Sequence, residues 1–248
     1  MAIDYVKKNN IPLNFQDGYA ETEVLSNVYN GVQTFRCVLK AGSVASPKCY
    51  GEKLQVLCIT NGSGYIATPK KAFNIDELCF FIANLDEPYT IHAATDIQIT
   101  KFIVDLTEND KATFNKSHVV LPFFRKNSEC VEYWQSCKGP NTRSWAVLVG
   151  RQLTRTLFGV VKASGDGEGT IEKGHPAVAQ WSVILDDSEL TYTVENESID
   201  LSSGDIGYVT AGLDHSLVTK NGKQANYIWF EHYVLDKDYI VVNPQRQN

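Results

Sequence analysis

The chain has 248 residues, 43% of them hydrophobic, with 23 Lys and Arg against 29 Asp and Glu and a formal net charge of −6. That apolar content is enough for real cores, and the length suits one large domain or two of ordinary size. The acidic balance argues against nucleic acid, whose phosphates need a basic face, and no apolar stretch approaches the ~20 residues of a membrane-spanning helix.

The first ten residues lack the apolar core of a secretory signal, which predicts a cytoplasmic protein. Strand signals then dominate. Residues 34–39, 78–83, 98–104, 157–161 and 227–230 are short runs rich in β-branched and aromatic side chains, bounded by turn residues. Asn61-Gly62-Ser63-Gly64 is hairpin chemistry, since these residues accept positive φ. Residues 107–145 break the pattern: 107–114 and 128–134 each suit a short helix, with Ser128 placed to cap the second, and Lys138-Gly139-Pro140-Asn141 is a breaker. This stretch reads as a connector between two domains, 1–115 and 116–248.

Cys37, Cys58 and Cys79 fall inside strand-like runs, where free cysteine is an ordinary core residue. No C-x2-C pair offers a thiolate zinc site, and a cytoplasmic setting keeps Cys130 and Cys137 of the connector reduced.

One spacing occurs twice, 125 residues apart. Gly42-x5-Lys48-x-Tyr50-x4-Gln55-x6-Gly62 is followed by Gly167-x5-Lys173-x-His175-x4-Gln180-x6-Asp187. The period is too long for a solenoid repeat and suits a duplicated domain. Gln55 and Gln180 are therefore expected at the same place in two like folds.

The repeated pattern resembles the first motif of the cupin superfamily, G-x5-H-x-H-x3,4-E-x6-G. The second cupin motif, G-x5-P-x-G-x2-H, has its counterpart in Gly204-x5-Thr210-x-Gly212-x2-His215, and a worn version ends at Tyr89 in the first half. The resemblance covers roughly residues 30–106 and 150–235. It implies an all-β chain of two jelly-roll (cupin) barrel domains in tandem, joined by a short, partly helical connector, with a degenerate site in the first.

In cupins the motif histidines and glutamate hold a divalent metal. Carried over position by position, the slots of the second half hold Lys173, His175, Gln180 and His215, which makes His175, Gln180 and His215 the expected metal ligands. Imidazole suits zinc, manganese, iron, nickel and cobalt alike, so the pair does not choose the ion. A protonated lysine has no lone pair to give. Three readings stay open: Lys173 turned outward beside a three-ligand site, Glu172 or Asp214 as a shifted carboxylate ligand, or no metal and direct binding of substrate by the histidines. The first half offers Lys48, Tyr50, Gln55 and Tyr89, a poor ligand set at neutral pH.

Strand alternation puts Trp181 opposite Gln180 and gathers Tyr227, Trp229 and Glu231 on one face of the last strand. If that face is interior, Glu231 is a general acid or base; if it is exterior, His232 takes its place. Glu231 and Lys173 are the catalytic candidates. The resemblance and a neutral ligand set together imply a metal-dependent enzyme acting on a keto acid, sugar acid or ureido compound, an isomerase, lyase or hydrolase rather than a dioxygenase. The alternative is a non-catalytic module that binds a small molecule. Exposed sheet edges and an apolar outer face predict a homodimer.

Overall fold

A computed structural model of the protein describes residues 3–114, 119–149, 152–220 and 222–235. Its strands are, in chain order, β1 (Asp4–Val6), β2 (Tyr19–Val24), β3 (Val32–Leu39), β4 (Val44–Ala45), β5 (Lys53–Asn61), β6 (Gly64–Ala67), β7 (Ala72–Ile75), β8 (Cys79–Ile82), β9 (Thr90–Ala93) and β10 (Ile97–Asp105). After the helix α1 (Glu108–Phe114) come β11 (Phe123–Lys126), β12 (Val131–Tyr133), β13 (Thr142–Leu148), β14 (Thr156–Ser164), β15 (Gly169–Glu172), β16 (Val178–Ile184), β17 (Glu189–Val194), β18 (Glu197–Ser202), β19 (Ile206–Val209), β20 (His215–Thr219) and β21 (Gln224–Tyr233). The chain forms two compact units. One is Tyr5–Leu106 with Val120–Cys130; the other takes the described parts of Met1–Asp4, Thr107–Val119 and Val131–Asn248. The boundary expected after residue 115 falls in residues 115–118, outside the described residues.

Each unit is a two-sheet jelly roll, and the strand orders match. The first has sheets β11-β8-β5-β10-β3-β2 and β4-β9-β6-β7; the second has β1-β19-β16-β21-β14-β13-β12 and β15-β20-β17-β18. Gln55 is the third residue of β5 and Gln180 the third of β16, strands that hold corresponding places in the two orders.

The sequence pattern explains the layering. In β17, Leu190, Tyr192 and Val194 are buried while Glu189, Thr191 and Thr193 are partly exposed, the alternation of a half-buried strand. In β16 every residue is buried, the polar Gln180 and Ser182 included, as expected of a strand covered on both faces. The cores lie between the paired sheets. Leu57, Ile59, Phe81 and Ile99 meet Ile66, Ile75 and Ile91 in the first unit; Ile184, Val209 and Tyr227 meet Leu190, Tyr192 and Leu217 in the second.

The connector holds α1, whose Asp110 is fully buried and ion-paired with Arg155 at 2.9 Å. The second helix expected there is instead a single 3-10 turn at Asn127–Glu129 followed by β12, which pairs with β13 through Val131↔Ala146 and Tyr133↔Ser144. Val131 and Tyr133 favour extended backbone, and a neighbouring strand rewards it with a ladder. Ser128 caps nothing; its side chain and backbone N–H both donate to Glu77. All six cysteines are free, with Cys37, Cys58 and Cys79 buried. Among the described residues no helix is long and apolar enough to cross a membrane.

Candidate metal centre in the C-terminal unit

Glu172 ends β15 and His215 begins β20, and the two are directly opposed across the antiparallel ladder. Opposed residues project from the same face. His175 follows three residues after Glu172, in the loop leading to β16. The ligand atoms of Glu172, His175 and His215 all lie within 4.8 Å of one another. Two bonds donated by backbone N–H groups hold the His175 loop on the His215 loop: Gly174 N–H donates to the side-chain Oδ1 of Asp214 at 2.8 Å, and Gly212 N–H donates to the His175 carbonyl at 2.9 Å. The approach is so close that a Cβ on Gly174 would lie 2.1 Å from the Gly212 carbonyl oxygen. Glycine is required there.

The alternation that turns Glu172 inward turns Lys173 outward. Its side chain is 93% exposed and its ammonium is 2.8 Å from Asp214. The structure thus does not bring Lys173, a catalytic candidate by sequence, to the cluster. The carboxylate reading left open by the sequence falls to Glu172. The cluster thus offers two imidazoles and a carboxylate rather than an all-neutral set, so ligand charge does not weigh against oxygen activation.

His175 Nε2 donates to Glu172 Oε2 at 2.8 Å, and the same oxygen stands 3.6 Å from His215 Nε2. The rings of His175 and His215 meet edge to face, centroids 5.2 Å apart. Burial works against the Glu172 carboxylate, but the hydrogen bond from His175 and the charges of both histidines outweigh it and hold the group below its ordinary value. Burial likewise opposes charge on His175, yet its hydrogen bond to Glu172 and the charge of Glu231 raise it above the usual histidine value. Burial dominates at His215 and lowers it. His215 Nδ1 donates to the Leu213 carbonyl at 3.1 Å, which leaves the lone pair on Nε2, a buried atom with no hydrogen-bond partner. A neutral imidazole whose far nitrogen is fixed by a carbonyl is the form that ligates a metal. The donor set fits a divalent ion.

Glu172 and His175 open onto a cavity of about 510 Å³ walled by Gln180, Tyr227, Trp229 and Glu231. The Tyr227 face of β21 is thus the interior one. His215 is not on this wall; it lines a smaller cavity of about 240 Å³ that Glu172 also borders. Gln180, expected as a ligand, lies on the wall with a buried Oε1 that makes no hydrogen bond. Burial pushes the Glu231 carboxyl up to about 7, with His175 opposing and Glu172 reinforcing the shift. The Trp229 ring has room because residue 159 is glycine; a Cβ there would come within 2.5 Å of it. Across the strand, His232 is 1% exposed beside Thr156, and burial pushes it down to about 3. Trp181, opposite Gln180, packs on Tyr208 and Phe230 at centroid distances of 4.9 and 5.7 Å.

Lys138 and Tyr133 also wall the cavity. Neither stands out in the sequence, where Lys138 belongs to the breaker Lys138-Gly139-Pro140-Asn141 and Tyr133 to the expected short helix.

In the first unit the corresponding positions close on themselves. Tyr89 donates its hydroxyl to Gln55 Oε1 at 3.3 Å, with both residues buried. Lys48 lies over the Tyr50 ring at 5.0 Å, and His92 stacks on Tyr65 at 4.3 Å. Among the described residues, Glu172, His175 and His215 form the one group of metal-ligating type.

No family model and no curated protein matches the sequence. Solved structures do. The chain is similar over 95% of its length to a protein from Pseudomonas aeruginosa assigned as glyoxylate-induced, covering 88% of that chain with a TM-score of 0.76 at 9% identity. It is similar over 93% of its length to oxalate decarboxylase from Lactobacillus farciminis in its formate complex, covering 86% of that chain with a TM-score of 0.72 at 9% identity. A mutant of Bacillus subtilis oxalate decarboxylase gives a TM-score of 0.70 at 11% identity, over 92% of this chain and 76% of that one. These neighbours have the cupin fold, and with the strand orders above they give this chain the all-β cupin jelly-roll architecture.

Proposed function

We propose that the protein is a bicupin enzyme whose C-terminal barrel binds one divalent ion and transforms a small polar metabolite, while its N-terminal barrel has kept the fold and lost the site. The observation that carries this reading is the convergence of Glu172, His175 and His215 beside a cavity that also holds Glu231. These three residues hold the ion, with Gln180 Oε1 available as a further neutral donor. When bound, the ion supplies a Lewis acid able to polarise a carbonyl or hydroxyl oxygen.

The chain's own residues supply the rest. A carboxyl with a pKa of about 7 gives or takes a proton at neutral pH with little driving force lost, which suits Glu231 to general acid–base work. Trp229 and Tyr227 form an apolar wall against which a planar or cyclic substrate rests. Proton transfer by a carboxyl favours an isomerase, lyase or hydrolase acting on a keto acid, sugar acid or ureido compound. The oxalate decarboxylases among the structural neighbours act on a small carboxylate, in keeping with this class. We place the enzyme in the cytoplasm as a homodimer.

The test is turnover. Protein loaded in turn with zinc, manganese, iron, nickel and cobalt is incubated with a panel of 2-oxo acids, sugar acids and ureido acids, and products are followed by proton NMR. Conversion by wild type that disappears in both Glu231→Gln and His215→Ala supports the proposal. Tight binding with no conversion under every metal supports a non-catalytic binding module instead.

A further inference from the structure

The cavity contains a buried cation that no hydrogen bond satisfies among the described residues. Lys138 is only 8% exposed, yet its Nζ makes no hydrogen bond. One side of the ammonium rests on the Tyr133 ring, 4.0 Å from the centroid. That contact uses the ring face and none of the donor directions fully, whereas an ammonium has three N–H groups to place. Burying a charge without hydrogen bonds is costly, and the cost persists here because the backbone on either side is pinned. Ile171 N–H donates to the Cys137 carbonyl at 2.9 Å, and Gly139 N–H donates to the Gly169 carbonyl at 3.1 Å, so residues 137–139 run along the edge of β15. Gly139 in turn packs against the Glu168 carboxylate, which a Cβ would approach to 2.2 Å.

A second donor on the same wall is also without a partner. Trp229 Nε1 is buried and makes no hydrogen bond. Two unpaired donors, one of them charged, and the unpaired acceptor Gln180 Oε1 thus border one cavity. Glu172 and Glu231 both act on the Lys138 charge through space, but neither hydrogen-bonds the ammonium, and Glu172 is already paired with His175. The lysine keeps its proton at neutral pH, since burial lowers it only to about 8.

We propose that Lys138 is the specificity residue of this cavity, receiving the carboxylate of a small organic acid through its ammonium, with Trp229 Nε1 as a second donor. This deepens the proposed function, because it assumes that the cavity beside Glu172 and His175 is the substrate site.

Calorimetric titration tests it with pyruvate, malonate and gluconate, each beside its amide (pyruvamide, malonamide, gluconamide), on wild type and Lys138→Met, with metal content measured in every sample. The expected result is that at least one acid binds wild type tenfold or more tightly than its amide, and that Lys138→Met loses this preference while keeping its metal content. Equal binding of acid and amide by wild type, binding of no acid, or an unchanged preference in Lys138→Met overturns the proposal. Lys138→Arg keeps the charge and must keep the preference for the acid; if Lys138→Met does not fold, that variant decides. A wild type that holds no metal but still shows a Lys138-dependent preference overturns the metal reading alone. A metal-loaded wild type without the preference overturns this inference alone.

Discussion

Glu172 and His215 face each other across the β15–β20 ladder, with a carboxylate oxygen of one 3.6 Å from Nε2 of the other. Paired strands set this geometry, whereas His175 reaches the same oxygen from a loop. The carboxylate is the hub of the cluster. Glu172→Gln keeps the shape and removes the charge, so divalent-ion affinity is expected to fall by tenfold or more while the far-ultraviolet spectrum is unchanged. Unchanged metal affinity in this variant would show that Glu172 only orients the histidines.

Gly174 tests the loop closure. Alanine there must push the His175 loop off Gly212, where 2.1 Å is left for a Cβ. Overpacking of this kind costs about 1–3 kcal/mol. Gly174→Ala should lower the melting temperature modestly and abolish metal binding. Gly167→Ala, at a position with open space but positive φ, should lower stability and leave metal binding intact.

Stability should depend on pH through His232. Its pKa is about 3 in the fold and about 6.5 in the unfolded chain. The unfolded state therefore binds more protons between those values, so stability is fully present above pH 6.5 and is lost as the pH falls toward 3. At about 1.4 kcal/mol per unit the loss amounts to several kcal/mol. Denaturant titrations should show a flatter pH dependence for His232→Leu than for wild type between pH 6.5 and 4. Parallel curves would mean that His232 is protonated in the fold or exposed to water.

The buried pair Asp110–Arg155 fixes α1 within the C-terminal unit. Asp110 also accepts hydrogen bonds from the Thr107 backbone and hydroxyl. Removing one partner strands a buried charge, so Asp110→Ala should cost about 3–5 kcal/mol in chemical denaturation. A cost below 1 kcal/mol would mean that water reaches the guanidinium.

Much of this was legible because it is local or periodic. The repeated spacing put Gln55 and Gln180 on strands of matching order, and the two motifs together put His175 beside His215, since spacing within a strand–turn unit fixes where a side chain emerges. Glu172 was harder to see. The motif assigns the ligand slot to its neighbour Lys173, and only the observed phase of β15 decides which of two adjacent residues faces inward. Lys138 carried no local sign at all; it is brought to the cavity by pairing with Thr170, more than 30 residues along the chain. β12 misled for the same reason: the ladder to β13 that makes it a strand is a tertiary contact.

Elemental analysis of protein purified without added metal or affinity tag, for wild type, His215→Ala and Tyr89→Ala, decides whether the C-terminal barrel holds a metal ion. Wild type should carry close to one equivalent of a divalent ion per chain, a folded His215→Ala none, and Tyr89→Ala, whose phenol lies in the other unit bonded to Gln55, as much as wild type. Wild type that neither carries an ion nor takes one up at micromolar concentration, or His215→Ala that binds as wild type does, would contradict a metal centre there.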